Sequence, residues 1–208
     1  MLNPRQMVFV GRNYVAHAKE MGNDVPKEPL LFLKPVSSII RDGEAIVLHP
    51  VSTHIELEGE IGLVLGGRLS KANEAEALAV LSHIVAINDV SARDLQRNDG
   101  QWARAKGLDT FCPIGTPAPV PANLADITVV STVNGVEKQR ATASEMVFSI
   151  PALLAYISQF ITLEAGDIVA TGTPAGVTKL APGDVVTIEL FGSSGSLSRV
   201  SNPVVAGT

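Results

Sequence analysis

A single cysteine, Cys112, rules out an intrachain disulfide and any thiolate-rich zinc site, and it suits a reducing compartment such as the cytoplasm. No run of about 18 apolar residues occurs, so no membrane-spanning helix is expected. The stretch Met1 to Val10 carries only Arg5 and an apolar run too short for a signal peptide, so a cytoplasmic protein is the expectation. Basic residues are scattered rather than clustered, 16 Lys and Arg against 21 Asp and Glu for a formal net charge of −5. That balance gives no electrostatic footprint for nucleic acid, and small molecules are the expected partners. Linkers and low-complexity stretches are also missing, so residues 1–208 read as one domain. What the chain does have is apolar content: 46% hydrophobic residues and a mean hydropathy of +0.26 are enough to bury a sizeable core.

Short β-rich runs punctuated by Gly and Pro dominate: Met7–Val10, Ile61–Leu65, Ile84–Ile87, Ile127–Val133, Ile168–Ala170 and Val185–Leu190. Asn134-Gly135 between two such runs predicts a tight antiparallel hairpin, because both turn residues must adopt positive φ. Helices are few. One is expected over Tyr14 to Met21, with Asn13 as N-cap and Gly22 closing it, which sets His17 and Glu20 on one face. A capping-box pattern at Asn73 and Glu76 predicts a second over Ala75 to His83, and Ser149 with Pro151 opens a third over Ala152 to Ile161. Regular βαβ alternation is absent, so the expected class is a β-rich α+β fold with a rolled or sandwiched sheet.

Five groups of residues point to chemistry. Glu56, Glu58 and Glu60 alternate along a segment that enters an apolar strand, so strand period puts them on one face. Like charges so placed ask for a cation, although a solvated acidic edge that blunts strand pairing has the same pattern. The apolar run Ile84–Ile87 ends in Asn88 and Asp89, which reads as a turn or as a site residue at a strand end. His17 and Glu20 are spaced so that the carboxylate can orient the imidazole, and an exposed surface pair would be spaced identically. Lys106 sits among small and apolar residues, where a half-buried ammonium would partner a developing negative charge. Thr171-Gly-Thr-Pro174 follows a strand and offers hydroxyls and N–H groups in a tight loop.

Taken in order, these phrases resemble the fumarylacetoacetate hydrolase family over nearly the whole chain. The matching segments are Gly11-Arg-Asn-Tyr-x-x-His17-x-x-Glu20, Leu31-Phe-Leu-Lys-Pro35, Glu58-x-Glu60-Ile-Gly-Leu-Val-Leu-Gly66, Asn88-Asp-Val-Ser-Ala-Arg-Asp94, Trp102-x-x-Ala-Lys-Gly107 and Thr171-Gly-Thr-Pro-x-Gly-Val177. The resemblance implies a mixed β-roll with few helices, a homodimer, and Mg²⁺ or Mn²⁺ held by Glu58, Glu60 and Asp89, with Glu56 just outside the ligand set. It is similar to the branch of acylpyruvases, oxaloacetate decarboxylases and 2-hydroxyhepta-2,4-diene-1,7-dioate isomerases. By that likeness His17 and Glu20 form an acid/base dyad on a short N-terminal lid, about 11–35, and Lys106 joins them. Arg12, Arg93, Gln96 and Thr173 fall to substrate contact.

Three carboxylates would leave about three of six octahedral positions on a hard cation open, and a 2-oxo acid fills two of them. The expected activity is hydrolysis or decarboxylation of acylpyruvate-type or oxaloacetate-type acids through an enolate. Isomerisation of a 2-hydroxy-dienedioate in aromatic catabolism uses the same enolate and is the alternative. A silent metal-binding scaffold is the reading of another class, and it would have no use for His17, Glu20 and Lys106.

Overall fold

The uninterrupted apolar runs of the strands build a sheet buried on both faces. The computed structural model describes residues 2–208. Its larger sheet has six strands in the spatial order Ala118–Pro119, Leu81–Asn88, Gly59–Leu65, Ile168–Ala170, Met7–Gly11 and Leu30–Lys34. Only the Met7–Gly11 and Ile168–Ala170 pair is parallel. Period two divides the side chains cleanly: Val8, Val10, Ile61, Leu63, Ile84, Ala86 and Val169 enter the main core. Met7, Phe9, Val64, Val85, Ile87, Ile168 and Ala170 point the other way, against Cys112 and Ile114. A polar residue on either face would therefore be fully desolvated, which is the setting of the site below.

A second sheet of five strands, in the order Val136–Thr142, Thr128–Val133, Val185–Gly192, Gly195–Ala206 and Ile46–Leu48, closes the main core with Val129, Val186, Ile188, Leu190 and Val200. The expected hairpin is present, with Asn134 at φ 53 and Gly135 at φ 77. The strand-rich α+β class therefore holds. Where the sheets meet, Gly59 is required, since a Cβ there would lie 2.0 Å from Ser131 Oγ.

The helices depart in detail from expectation. The first spans Val15–Glu20 with Tyr14, not Asn13, at its N-cap. Asn13 instead spends its amide across the fold, on the carbonyls of Phe148 and Thr171 and the N–H of Phe148. The second has the expected capping box but stops at Ala79, because Leu81–His83 pair with Val64 and Leu65 as strand. The third runs Ile150–Ser158, capped by Ser149, three residues short of the expected end. Within the segment expected to form a lid, Leu30–Lys34 is the edge strand of the large sheet. Among the described residues no helix is long and apolar enough to cross a membrane.

Candidate active site

The site is built where two strands end together. Ile55–Leu57 belongs to a small sheet with Thr178–Lys179 and Ser91–Ala92, and the chain crosses into the large sheet at Glu58. The backbone break is pinned from both sides, the Glu58 N–H donating to Asn88 Oδ1 at 3.0 Å and the Asp89 N–H donating to the Glu58 carbonyl at 2.8 Å. Those bonds carry Glu58, Glu60 and Asp89 to one point, with one carboxylate oxygen from each within 4.8 Å of the others and all three residues buried. The acidic run is thus not one continuous face. Glu56 turns away, to His54 at 2.8 Å and to Arg93 Nε at 2.5 Å.

Three buried cations surround this group. Lys106 Nζ donates to Glu58 Oε2 and Asp89 Oδ2, each at 2.6 Å, and to Ser91 Oγ at 2.7 Å. Lys34 Nζ donates to Asp89 Oδ1 at 2.6 Å, and Arg93 donates to the Glu58 carboxylate. Burial pushes the Glu58 carboxyl up, but Arg93, Lys106 and His17 outweigh it and hold it well below the usual carboxylate range. Glu60 is the opposite case. Burial, then Asp89 and Glu58, push it well above the usual range, and its hydrogen-bond donor is the Gly172 N–H at 2.8 Å. Burial also pushes the Lys106 ammonium down, yet Asp89 and Glu58 hold it charged. With oxygen donors only and one carboxylate lacking any basic side chain, the group is able to hold a metal ion, and its donor set fits a hard one.

A cavity of about 340 Å³ opens over these carboxylates, lined among others by His17, Arg12, Gln96, Arg97, Trp102 and Thr173. His17 Nδ1 lies 3.3 Å from Glu20 Oε2, and its Nε2 lies 4.0 Å from Glu58 Oε1. Glu20 is itself anchored by the Gly176 N–H at 3.0 Å, so the imidazole is oriented from outside and aimed inward. Cys112 takes no part, because burial pushes its thiol up to about 12 and it packs against the far face of the sheet.

The structure therefore brings together Glu58, Glu60, Asp89, Lys106, His17 and Glu20. Arg93 and Thr173 line the cavity but are committed elsewhere. Arg93 is held by Glu56, Glu58 and Gln96, and the Thr173 hydroxyl lies between the Gly59 carbonyl at 3.0 Å and Gln139 Nε2 at 2.8 Å. Both therefore also brace the site whose cavity they line. Arg12 and Arg97 line the cavity with no acidic partner among the described residues. Sequence reasoning missed Arg97, Lys34 and Gln139. The one signal for Lys34 was a lone lysine closing an apolar strand, in a phrase already quoted for the resemblance.

The profile described as fumarylacetoacetate (FAA) hydrolase C-terminal matches residues 6–205. An oxaloacetate tautomerase of Caenorhabditis elegans is 42% identical over 191 residues, covering 89% of this chain and 89% of that one. An oxaloacetate decarboxylase of Dictyostelium discoideum is 38% identical over 195 residues, covering 90% and 89%. The crystal structure of a 2-hydroxyhepta-2,4-diene-1,7-dioate isomerase from Mycobacterium marinum superposes with a TM-score of 0.87 at 37% identity, covering 98% of this chain and 75% of that one. A match of that extent, over a buried acidic triad with a histidine aimed at it, makes this chain an enzyme belonging to the fumarylacetoacetate hydrolase family.

Proposed function

We propose that the enzyme uses Mg²⁺ or Mn²⁺ to act on 2-oxo acids that carry a second carboxylate, moving a proton or breaking a carbon bond at C3. The observation that carries this reading is Glu60, a carboxylate wholly inside the protein beside two others and without a cationic side chain bonded to it. A divalent ion held by Glu58, Glu60 and Asp89 supplies Lewis-acid polarisation of the 2-oxo group.

The remaining steps belong to side chains. With the Nδ1 proton donated to Glu20, His17 Nε2 keeps its lone pair and can take a proton from C3 or return one to it. The Lys106 charge opposes the negative charge that develops as this proposed step proceeds. Arg12 and Arg97, unpaired at the cavity wall, supply donors for a carboxylate at the far end of the substrate. With a carboxylate at C4, release of carbon dioxide or keto–enol exchange follows, as in oxaloacetate. A water delivered to a distal carbonyl would give hydrolysis instead. Isomerisation of a 2-hydroxy-dienedioate is the second reading, and the same two arginines favour it over an acylpyruvate with an uncharged tail.

The test is a panel of oxaloacetate, acetylpyruvate and a 2-hydroxy-dienedioate, followed by enol absorbance with Mn²⁺ and again after chelation. Turnover of a dicarboxylate that chelation abolishes and Mn²⁺ restores is expected. No turnover on any member, or turnover indifferent to chelation, refutes the reading.

A further inference from the structure

Besides the bonds of Lys106 to Glu58 Oε2 and Asp89 Oδ2, each of the three converging carboxylates has one oxygen fixed by a separate donor. The Gly172 N–H takes Glu60 Oε2 at 2.8 Å, Arg93 takes Glu58 Oε1, and Lys34 takes Asp89 Oδ1 at 2.6 Å. Lys34 is the most completely fixed of these donors. It sits at the end of the edge strand Leu30–Lys34 with its side chain wholly buried, and it is absent from the cavity lining. Its other two ammonium hydrogens go to the carbonyls of Phe111 at 2.7 Å and Val90 at 3.2 Å. The Phe9 ring flanks it, with Nζ 5.5 Å from the ring centroid. An ammonium has three donors, so none is spare, and no rotation releases Asp89 without stranding a carbonyl.

We propose that Lys34 is a positioning residue that restricts Asp89 to one-oxygen coordination and thereby sets the preference of the site for small octahedral cations over Ca²⁺. Calcium gathers about six to eight oxygens and commonly takes both oxygens of a carboxylate, whereas Mg²⁺ needs near-ideal octahedral geometry from single oxygens. With Oδ1 pinned from behind, Asp89 turns only Oδ2 toward the cavity, where Lys106 meets it at 2.6 Å. Lys106 does not impose the same limit, because it approaches Glu58 and Asp89 from the cavity side and reaches Oδ2 rather than Oδ1. The inference rests on the metal reading given above and adds to it a residue that touches neither ion nor substrate.

The test is calorimetric titration of wild type and Lys34→Met with Mn²⁺, Mg²⁺ and Ca²⁺. The ratio is the readout, since loss of a neighbouring positive charge tightens every divalent cation alike. The preference for Mn²⁺ over Ca²⁺ is expected to fall roughly tenfold in Lys34→Met, as Asp89 gains a second free oxygen. An unchanged ratio overturns the role of Lys34. Because Lys34→Met leaves two carbonyls without donors, folding is verified by circular dichroism. Lys34→Gln, which retains an N–H for Asp89 Oδ1, is expected to keep most of the preference, and a loss as large as that of the methionine variant counts against the geometric argument. A crystal structure of wild type with Mn²⁺ needs no variant: coordination by Asp89 Oδ2 alone supports the proposal, and two-oxygen coordination overturns it. Wild type that binds no divalent cation sinks the metal reading itself, and this inference with it.

Discussion

Replacing Gln139 with leucine should loosen the site from outside, since Gln139 does not itself line the cavity. Gln139 is buried between the two sheets and makes four hydrogen bonds through one amide. It accepts from the Gly59 N–H at 2.9 Å and Ser131 Oγ at 2.7 Å, and it donates to Thr173 Oγ1 at 2.8 Å and the Pro174 carbonyl at 2.7 Å. Leucine keeps the volume and removes all four. The Thr173 hydroxyl still has the Gly59 carbonyl, but the Gly59 N–H, the buried Ser131 hydroxyl and the Pro174 carbonyl are left without these partners. At about 1–3 kcal/mol for each stranded group the loss is about 3–9 kcal/mol, a large part of the ~5–15 kcal/mol that holds a typical domain. For a chain of this size the melting temperature should fall by roughly 6–35 °C, against almost no change for exposed Arg140→Ala. The consequence for the site follows from position, since Gly59 separates Glu58 from Glu60 and Thr173 follows the Gly172 N–H that holds Glu60. Thermal melts in chelator and Mn²⁺ titration by calorimetry should therefore both shift. A melt within about 2 °C of wild type refutes the hydrogen-bond reasoning, and a shifted melt with unaltered Mn²⁺ affinity refutes the coupling to the site.

Glu60→Gln should weaken Mn²⁺ binding by more than tenfold while the chelated protein melts at or above wild type, because burial, Asp89 and Glu58 already work against its charge; unaltered Mn²⁺ binding would show that Glu60 is no ligand. His17→Ala should leave Mn²⁺ affinity in place and lower kcat by on the order of 100-fold or more, and a steady-state assay with equal kcat would remove the imidazole from the reaction. Asp94 accepts from Ser52 Oγ, the Thr53 N–H and the Leu95 N–H, bonds that outweigh its slight burial and hold its carboxyl at about 2. A depressed folded-state value means that this contribution is present above the unfolded value and is lost as pH falls from about 4 toward about 2. Asp94→Asn should therefore flatten the fall in stability across that window in acid titrations, and an identical slope contradicts the assignment.

How much of this was readable beforehand follows the range of the interactions. Short apolar runs at Met7–Val10, Ile61–Leu65, Ile84–Ile87 and Ile168–Ala170 identified the middles of four strands, because such runs depend only on neighbours in sequence. The hairpin at Asn134-Gly135 was readable for the same reason. The second helix was expected to run to His83, yet Leu81–His83 pair with Leu65 and Val64, so cross-strand pairing overrode local helix preference. Asn13 had the look of a cap, but its side chain answers to Phe148 and Thr171, 135 and 158 residues away. Glu58, Glu60 and Asp89 stood out as acids breaking apolar runs. Lys34 and Gln139 did not, since their partners lie 55 to 77 residues and 8 to 80 residues distant and no spacing reports them.

Charge balance explains why so many buried ionic groups are tolerated together. Glu56, Glu58, Glu60 and Asp89 face Lys34, Arg93 and Lys106, which leaves one negative charge uncompensated in a desolvated place. That residual falls on Glu60, whose carboxyl is pushed well above its ordinary range by burial, Asp89 and Glu58. Under the proposed function a divalent ion would turn the excess into one positive charge, and the carboxylate of a 2-oxo acid would bring it back to neutral. A second carboxylate on the substrate would exceed that balance unless it met charge of its own, which Arg12 and Arg97 offer at the cavity wall. A neutral-tailed acid would leave both guanidinium groups facing water, so it is these two arginines, and not the balance of the buried site, that favour a dicarboxylic substrate.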